Sequence, residues 1–152
     1  MQKNIQQIRN IEVIEKELNT CPVGVLALIV EEKIVQVATT FLYLDKNIYI
    51  FLDDNSELYQ SIHFESNASF ILIKNEKVRK HSKADYSPSY HSIAIKISGN
   101  IRKVEEQKVI DEVQSGYLNK YSKDNLIDET GVPGKAIIID TEEIQALEES
   151  GG

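Results

Sequence analysis

The chain has 152 residues, of which 41% are hydrophobic and 27% are charged. This length suits one domain with a single core, and the composition excludes a disordered tail protein and a collagen-like fibre. Twenty-four acidic residues against 17 basic ones give a formal net charge of −7, which excludes binding to nucleic acid or to an anionic membrane surface through bulk electrostatics alone.

The cysteine content and the N-terminus indicate the compartment. Cys21 is the only cysteine, so the sequence excludes an internal disulfide and any multi-cysteine metal site. The opening residues MQKNIQQIRN contain no apolar stretch of the signal-peptide type, and the longest apolar run, 23–30, is too short to span a membrane. We therefore expect a cytoplasmic protein that folds as one domain over residues 1–152.

The first 20 residues are predicted to form an amphipathic helix, because Ile5, Ile8, Ile11 and Leu18 recur at helical spacing. From residue 23 the pattern changes to runs rich in β-branched residues, separated by short polar turns. These runs predict three consecutive strands that form a meander, at 23–30, 34–44 and 47–52.

The middle of the chain mixes one short helix with two more strands. Asp54, followed three residues later by Glu57, has the form of a capping box and predicts a helix over 55–64. Strands are predicted at 68–73 and 91–104, and Gly99 inside the second of them predicts a bulge. The residues between these strands, 75–90, are predicted to form a long loop.

The last third predicts a helix over 105–121, a strand over 135–140 and an acidic tail over 141–152, where Thr141 would cap a short helix. Six strands without alternating crossover helices favour an antiparallel architecture over a doubly wound parallel sheet. We expect a mainly β protein, an antiparallel six-stranded split β-barrel over 23–140, with appended N-terminal, connecting and C-terminal helices.

This element order resembles that of the flavin mononucleotide (FMN)-binding split-barrel proteins of the pyridoxamine 5′-phosphate oxidase-like superfamily. The sequence segments that carry the resemblance are GVLALIV, VATTFLYL, NIYIFL and ASFILI. The segment SIAIKISGNIRKVEEQKVIDEV resembles the family's later strand and the helix after it. The resemblance implies a cytoplasmic homodimeric flavoprotein that binds FMN in clefts between subunits. It implies an oxidoreductase acting on a small-molecule substrate, with the redox chemistry supplied by the cofactor.

The resemblance also implies where the flavin binds, at the end of the second strand and in the turn and short helix after the third. A helix N-terminus suits a phosphate because its first amide groups have no partner within the helix. The implied cofactor-binding residues at these two places are Thr39, Thr40, Phe41, Asp53, Ser56 and Tyr59. Each has a structural reading as well, as a strand or capping residue.

The turn departs from the family pattern in its charge. Many relatives carry Ser-Arg-Lys here, whereas this chain reads Ser56-Glu57-Leu58, so the usual cation is absent. The alternative source of positive charge is the basic stretch with Lys77, Arg79 and Lys80, reaching across a dimer. Its structural reading is a solvated loop.

Two other functions stay open. The first is a non-catalytic dimeric split-barrel binding or stress module that has lost tight flavin binding, and Glu57 is its main support. The second is a haem-binding or haem-degrading relative, which rests on His81 and His91. The histidines lack metal-ligand spacing, so no metal site is expected, and no residue stands out as a catalytic acid or base.

Overall fold

The computed structural model describes residues 3–78, 89–122 and 131–151. In chain order the elements are β1 (Lys3–Gln7), α1 (Ile11–Thr20), β2 (Gly24–Val30), β3 (Lys33–Thr39), β4 (Leu42–Leu44), β5 (Asn47–Leu52), α2 (Glu57–Ser61), β6 (Asn67–Val78), β7 (Ser89–Lys103), α3 (Gln107–Tyr121) and β8 (Lys135–Gly151). No helix in the described part of the chain is long and apolar enough to cross a membrane.

The strands form one antiparallel sheet in the order β3-β2-β6-β7-β8-β5-β4, and β1 pairs with the end of β8. β3 and β4 follow each other in the chain but lie at opposite ends of this order. The chain therefore turns away from one edge of the sheet at Thr40 and Phe41 and joins the other edge. This gives the split barrel that the sequence predicts; both hairpins of the predicted meander are present, but its middle strand is divided.

The described residues contain eight strands rather than the predicted six. One additional strand arises because the predicted second strand, 34–44, is divided into β3 and β4. We call the point of division, at Thr40 and Phe41, the kink. The other is β1, which lies where the N-terminal helix was expected to start.

The helix predicted over 1–20 is correct only from Ile11. Asn10 begins α1, and its side-chain Oδ1 accepts a hydrogen bond from Glu12 N at 3.0 Å. The isoleucines at positions 5 and 8 fit a helical period, but β1 instead pairs its backbone with β8, from Lys3 opposite Gly151 onward. Tertiary pairing overrides the local pattern here.

The predicted tail helix over 141–152 is wrong, because β8 continues as a strand to Gly151. Thr141 caps no helix; its backbone N donates to Asn47 Oδ1 at 3.0 Å. In this segment Ile144 and Ala146 pack into the core while Gln145 between them is exposed, which is a strand pattern. The strand is held on both sides, by β7 and by β1.

Gly99 lies at a bulge, as predicted. The pairing of β7 with β8 shifts between Ser98, opposite Glu143, and Gly99, opposite Thr141. A Cβ at Gly99 would lie 2.0 Å from Asp140 O, so the two backbones approach too closely for any side chain at this position.

Three other boundaries differ from the sequence predictions. The helix predicted over 55–64 is the single turn α2, and the helix predicted from 105 begins at Gln107. The predicted loop is shorter than 75–90, because β6 and β7 pair as far as Val78 opposite Ser89, while 79–88 lie outside the described residues.

Two apolar clusters stabilise the fold. The larger fills the barrel and includes Leu26, Phe70 and Ile97, with Leu18 of α1 closing one side. The smaller joins α3 to β4 and β5 through Tyr117, Tyr121 and other buried side chains. α3 is therefore packed directly against the strands that flank the kink.

Candidate functional site

The turn after β5 leads into α2, and Ser56 is the N-cap residue of that helix. The Ser56 hydroxyl accepts from Tyr59 N at 3.1 Å and donates to Asp53 O at 2.5 Å. The predicted capping role of Asp54 is therefore wrong. Because its hydroxyl already caps the helix, Ser56 acts first as a structural residue, beside the acidic side chains of Asp53 and Glu57.

The kink between β3 and β4 contains the other candidate residues. Thr39 Oγ1 donates to Thr40 O at 3.1 Å. The Thr40 side chain and the Phe51 backbone both interact with the Tyr117 hydroxyl, and burial raises the pKa of Tyr117 in spite of these contacts. The kink therefore lies next to the end of β5, as the resemblance implies for the two halves of the site.

The backbone of Phe41 is held by the end of α3. The Tyr121 hydroxyl accepts from Phe41 N at 3.0 Å and lies 2.8 Å from each of Phe41 O and Pro22 O. Burial raises the pKa of Tyr121 to about 12, so its hydroxyl stays protonated at neutral pH. One phenol thus fixes the chain at both the kink and the end of α1.

Lys120 reinforces the same junction. Its Nζ lies 3.0 Å from Phe41 O and 3.6 Å from the centre of the Phe41 ring. It also lies 3.5 Å from Leu18 O, a carbonyl whose helical partner would be residue 22, a proline without an N–H. Desolvation lowers the pKa of Lys120 to about 8, and the nearby Cys21 opposes this shift.

A cavity of about 610 Å³ opens between α2, α3 and the start of β8. Tyr59 contributes to its wall, together with Lys103, Glu105 and Lys135. Tyr59 packs edge-on against Phe64, and Lys103 Nζ lies 5.0 Å from the centre of the Phe64 ring. Neither lysine is predicted from the sequence as a site residue, because each belongs to a strand far along the chain from Tyr59.

Lys77, the one residue of the basic trio that the structure describes, lies on a part of β6 remote from this site. Lys77 lies on β6 opposite Tyr90 and is ten residues along that strand from Asn67, the end nearest α2. At about 3.3 Å per residue, roughly 33 Å of strand separate the two ends. Arg79 and Lys80 lie outside the described residues.

Two histidines and Cys21 lie in the described part of the chain, and Cys21 lies near Lys120 at the junction of α1 with the kink. His63 is exposed, while His91 Nε2 lies 2.5 Å from Glu148 Oε1. His81 lies outside the described residues, and among the described ones no group of three potential ligands could hold a metal ion. Cys21 Sγ donates to Val23 O at 3.3 Å, as expected of a structural cysteine.

The outer face of the sheet exposes large apolar side chains. Ile29 is 61% exposed, Ile34 is 75% exposed and Ile73 is 57% exposed. Ile29 and Ile34 lie opposite each other on β2 and β3. Next to them a groove of about 450 Å³ has small residues such as Ala27 in its floor.

Comparison with known proteins identifies the fold. Neither a family model nor a curated protein matches the sequence. Among solved structures, the chain is similar to a candidate 5-nitroimidazole antibiotic resistance protein from Bacteroides thetaiotaomicron, with a TM-score of 0.79, 13% identity, and coverage of 100% of this chain and 93% of that one.

Two further structures extend the comparison. A FAD and heme binding protein from Mycobacterium smegmatis gives a TM-score of 0.70 at 13% identity, covering 96% of this chain and 74% of that one. A candidate pyridoxamine 5′-phosphate oxidase from Corynebacterium glutamicum gives 0.62 at 14% identity, covering 100% and 98%. The fold is thus that of the flavin-binding and pyridoxamine 5′-phosphate oxidase-like split-barrel proteins, which confirms the resemblance at the level of fold.

Proposed function

We propose that this protein binds a flavin, FMN by preference, and that it acts as a homodimeric oxidoreductase on a small-molecule substrate. The observation that carries the proposal is the likeness over the whole chain to split-barrel proteins, one of which is named for binding FAD. When bound, the flavin would supply the hydride or electron chemistry, while the protein would hold and orient it.

The kink and the turn after β5 are the proposed cofactor contacts. Thr39, Thr40 and Phe41 form the kink, and Tyr117 connects it to β5, so the two segments lie side by side. Asp53, Ser56 and Tyr59 follow at the end of β5. The hydroxyls of Thr39 and Ser56 already donate within the chain, and Phe41 N already donates to Tyr121, so a flavin would displace one of these hydrogen bonds or use other groups of the two segments.

The homodimer is proposed from the outer face of the sheet. The exposed isoleucines on β2, β3 and β6 lie on one face, where a second copy would remove them from water. The basic stretch with Lys77, Arg79 and Lys80 would then contribute to the partner's site rather than to its own. Replacing these three by Ala should weaken FMN binding in the dimer.

Spectroscopy and titration of the purified protein test the flavin proposal. We expect the purified protein either to show the visible absorbance bands of a bound flavin or to quench the fluorescence of added FMN until its sites are saturated. Riboflavin is the matched control, because it has the same ring without the phosphate. A protein that binds neither compound would contradict the proposal.

One observation favours a non-catalytic dimeric module instead. Asp53, Asp54 and Glu57 surround the start of α2, where they would repel a phosphate dianion by about 1 kcal/mol for each charge in a water-like dielectric. A dimer in solution that binds no flavin would support this alternative.

The haem-binding alternative has one supporting observation, the likeness to a protein named for binding both FAD and heme. His91 is its described candidate, and this side chain is already paired with Glu148. Titration with hemin should give a sharp absorbance band that is lost in His91→Ala if this alternative is correct.

A further inference from the structure

We propose that the cavity between α2, α3 and the start of β8 is a phosphate-binding site whose positive charge comes from Lys103 and Lys135. Two sources of phosphate are compatible with it, the phosphate of a flavin mononucleotide or that of a phosphorylated substrate. The first source rests on the flavin-binding function proposed above, and the second does not.

Strand pairing brings the two lysines together at the end of the barrel. Lys103 is the last residue of β7, and Lys135 is the first residue of β8. Lys135 pairs with Leu52, so it lies one residue from the turn that begins at Asp53. Both side chains line the cavity of about 610 Å³, a volume within the range of small-molecule sites.

The cavity is locally positive on an acidic protein. Its ionisable wall consists of two lysines and Glu105, a formal sum of +1, whereas the chain carries −7. A phosphate at the start of α2 would meet three carboxylates, whereas a phosphate in the cavity would meet two ammonium groups and one carboxylate. Coulomb attraction therefore favours the cavity over the turn.

The walls provide further contacts for an anion or a ring. Gln107 in the wall is the first residue of α3, and the Glu106 side chain makes no capping hydrogen bond there. The first amide groups of this 15-residue helix therefore have no side-chain cap. Tyr59 provides an aromatic surface, and Phe64 beneath Lys103 limits the freedom of that side chain.

The experiment compares matched variants of the full chain by fluorescence titration with FMN and with riboflavin. Lys103→Ala with Lys135→Ala should weaken FMN binding at least tenfold and change riboflavin binding less than twofold. Lys16→Ala with Lys33→Ala removes the same charge from two exposed positions outside the cavity and should change neither. Glu105→Gln should strengthen FMN binding about threefold, a gain that loss of folding cannot produce.

Inorganic pyrophosphate tests the second source. If the wild-type chain binds FMN and riboflavin equally, pyrophosphate should still raise the unfolding temperature of the wild type and not that of the Lys103/Lys135 variant. This result would support the site with a phosphorylated substrate as its ligand. Absence of flavin binding with such a stabilisation contradicts the proposed function but supports this site. Equal losses in both lysine pairs, or an FMN loss confined to Lys77→Ala with Arg79→Ala and Lys80→Ala, would overturn it. So would a wild-type chain that shows neither FMN preference nor stabilisation by pyrophosphate.

Discussion

Two buried tyrosine hydroxyls meet opposite conditions in this fold. Tyr121 OH contacts Phe41 N, Phe41 O and Pro22 O. Tyr43 OH makes no hydrogen bond of good geometry among the described residues; it interacts with the Glu15 side chain, and burial together with that interaction raises the pKa of Tyr43 to about 12. The same chemical group is therefore well satisfied at one junction and poorly satisfied at the other.

Tyr121→Phe should lower the free energy of unfolding by about 1–3 kcal/mol, because it leaves Phe41 N and Pro22 O without this partner. Tyr43→Phe is the comparison variant and should lower the free energy of unfolding less than Tyr121→Phe does, since the Tyr43 hydroxyl interacts only with the Glu15 side chain and makes no hydrogen bond of good geometry. Urea denaturation of both variants measures the difference. Equal destabilisation would contradict the role assigned to Tyr121.

Lys120 predicts a pH dependence of stability. Its pKa is about 8 in the folded protein, below the ordinary lysine value of 10.5, so between these values the unfolded chain binds the additional proton. The unfolding free energy contributed by this group therefore rises with pH across that window. We expect the difference in unfolding free energy between the wild type and Lys120→Met to increase from pH 7.5 to pH 9.5. The tyrosines are common to both proteins and cancel, and a flat or falling difference would contradict the assignment.

The sequence predicts which short segments form the candidate site, but not the residues that support them. Thr40 and Ser56 lie on elements that β-patterning and capping signals locate well. Lys103, Lys120 and Lys135 meet the site only through strand order and helix packing. A local pattern carries no information about such contacts, because their partners are far along the chain.

At the scale of elements, the two termini show why β1 was missed and β8 was predicted too short. The segment before α1 has helical spacing, and the segment after Asp140 resembles a helix start, with Thr141 before two acidic residues. Each becomes a strand because each provides the other's pairing partner, from Lys3–Gly151 to Gln7–Leu147. Such mutual pairing has no signal in either segment alone.

The bulge at Gly99 makes a further prediction at this scale. Gly99→Ala places a Cβ against the Asp140 backbone, which cannot rotate away, so the unfolding free energy should fall by about 1–3 kcal/mol. Gly116→Ala is the control, because its nearest contact is the flexible Leu42 side chain and alanine favours a helix by about 1 kcal/mol. Thermal unfolding compares them. A larger loss in Gly116→Ala would contradict a rigid contact at the bulge.

The whole molecule carries an asymmetric distribution of exposed apolar surface. Ile29 and Ile34 form a cross-strand pair on the outer face of the sheet, and Ile73 lies on β6 of the same sheet. Ile11 and Val13, at 49% and 38% exposure, lie instead on α1. Two large apolar side chains side by side on a sheet face are a candidate interface, whereas scattered apolar side chains need no partner.

This difference lets the proposed homodimer be tested with matched charge variants. Ile29→Lys with Ile34→Lys should convert a dimer into a monomer, because two ammonium groups in an apolar interface would lose hydration without gaining partners. Ile11→Lys with Val13→Lys adds the same charge to α1 and should leave the dimer intact. Sedimentation velocity at micromolar concentration distinguishes the two species. A wild-type monomer, or dissociation by the α1 pair alone, would show that the sheet face is not the interface and would remove the basis for a flavin cleft shared between two subunits.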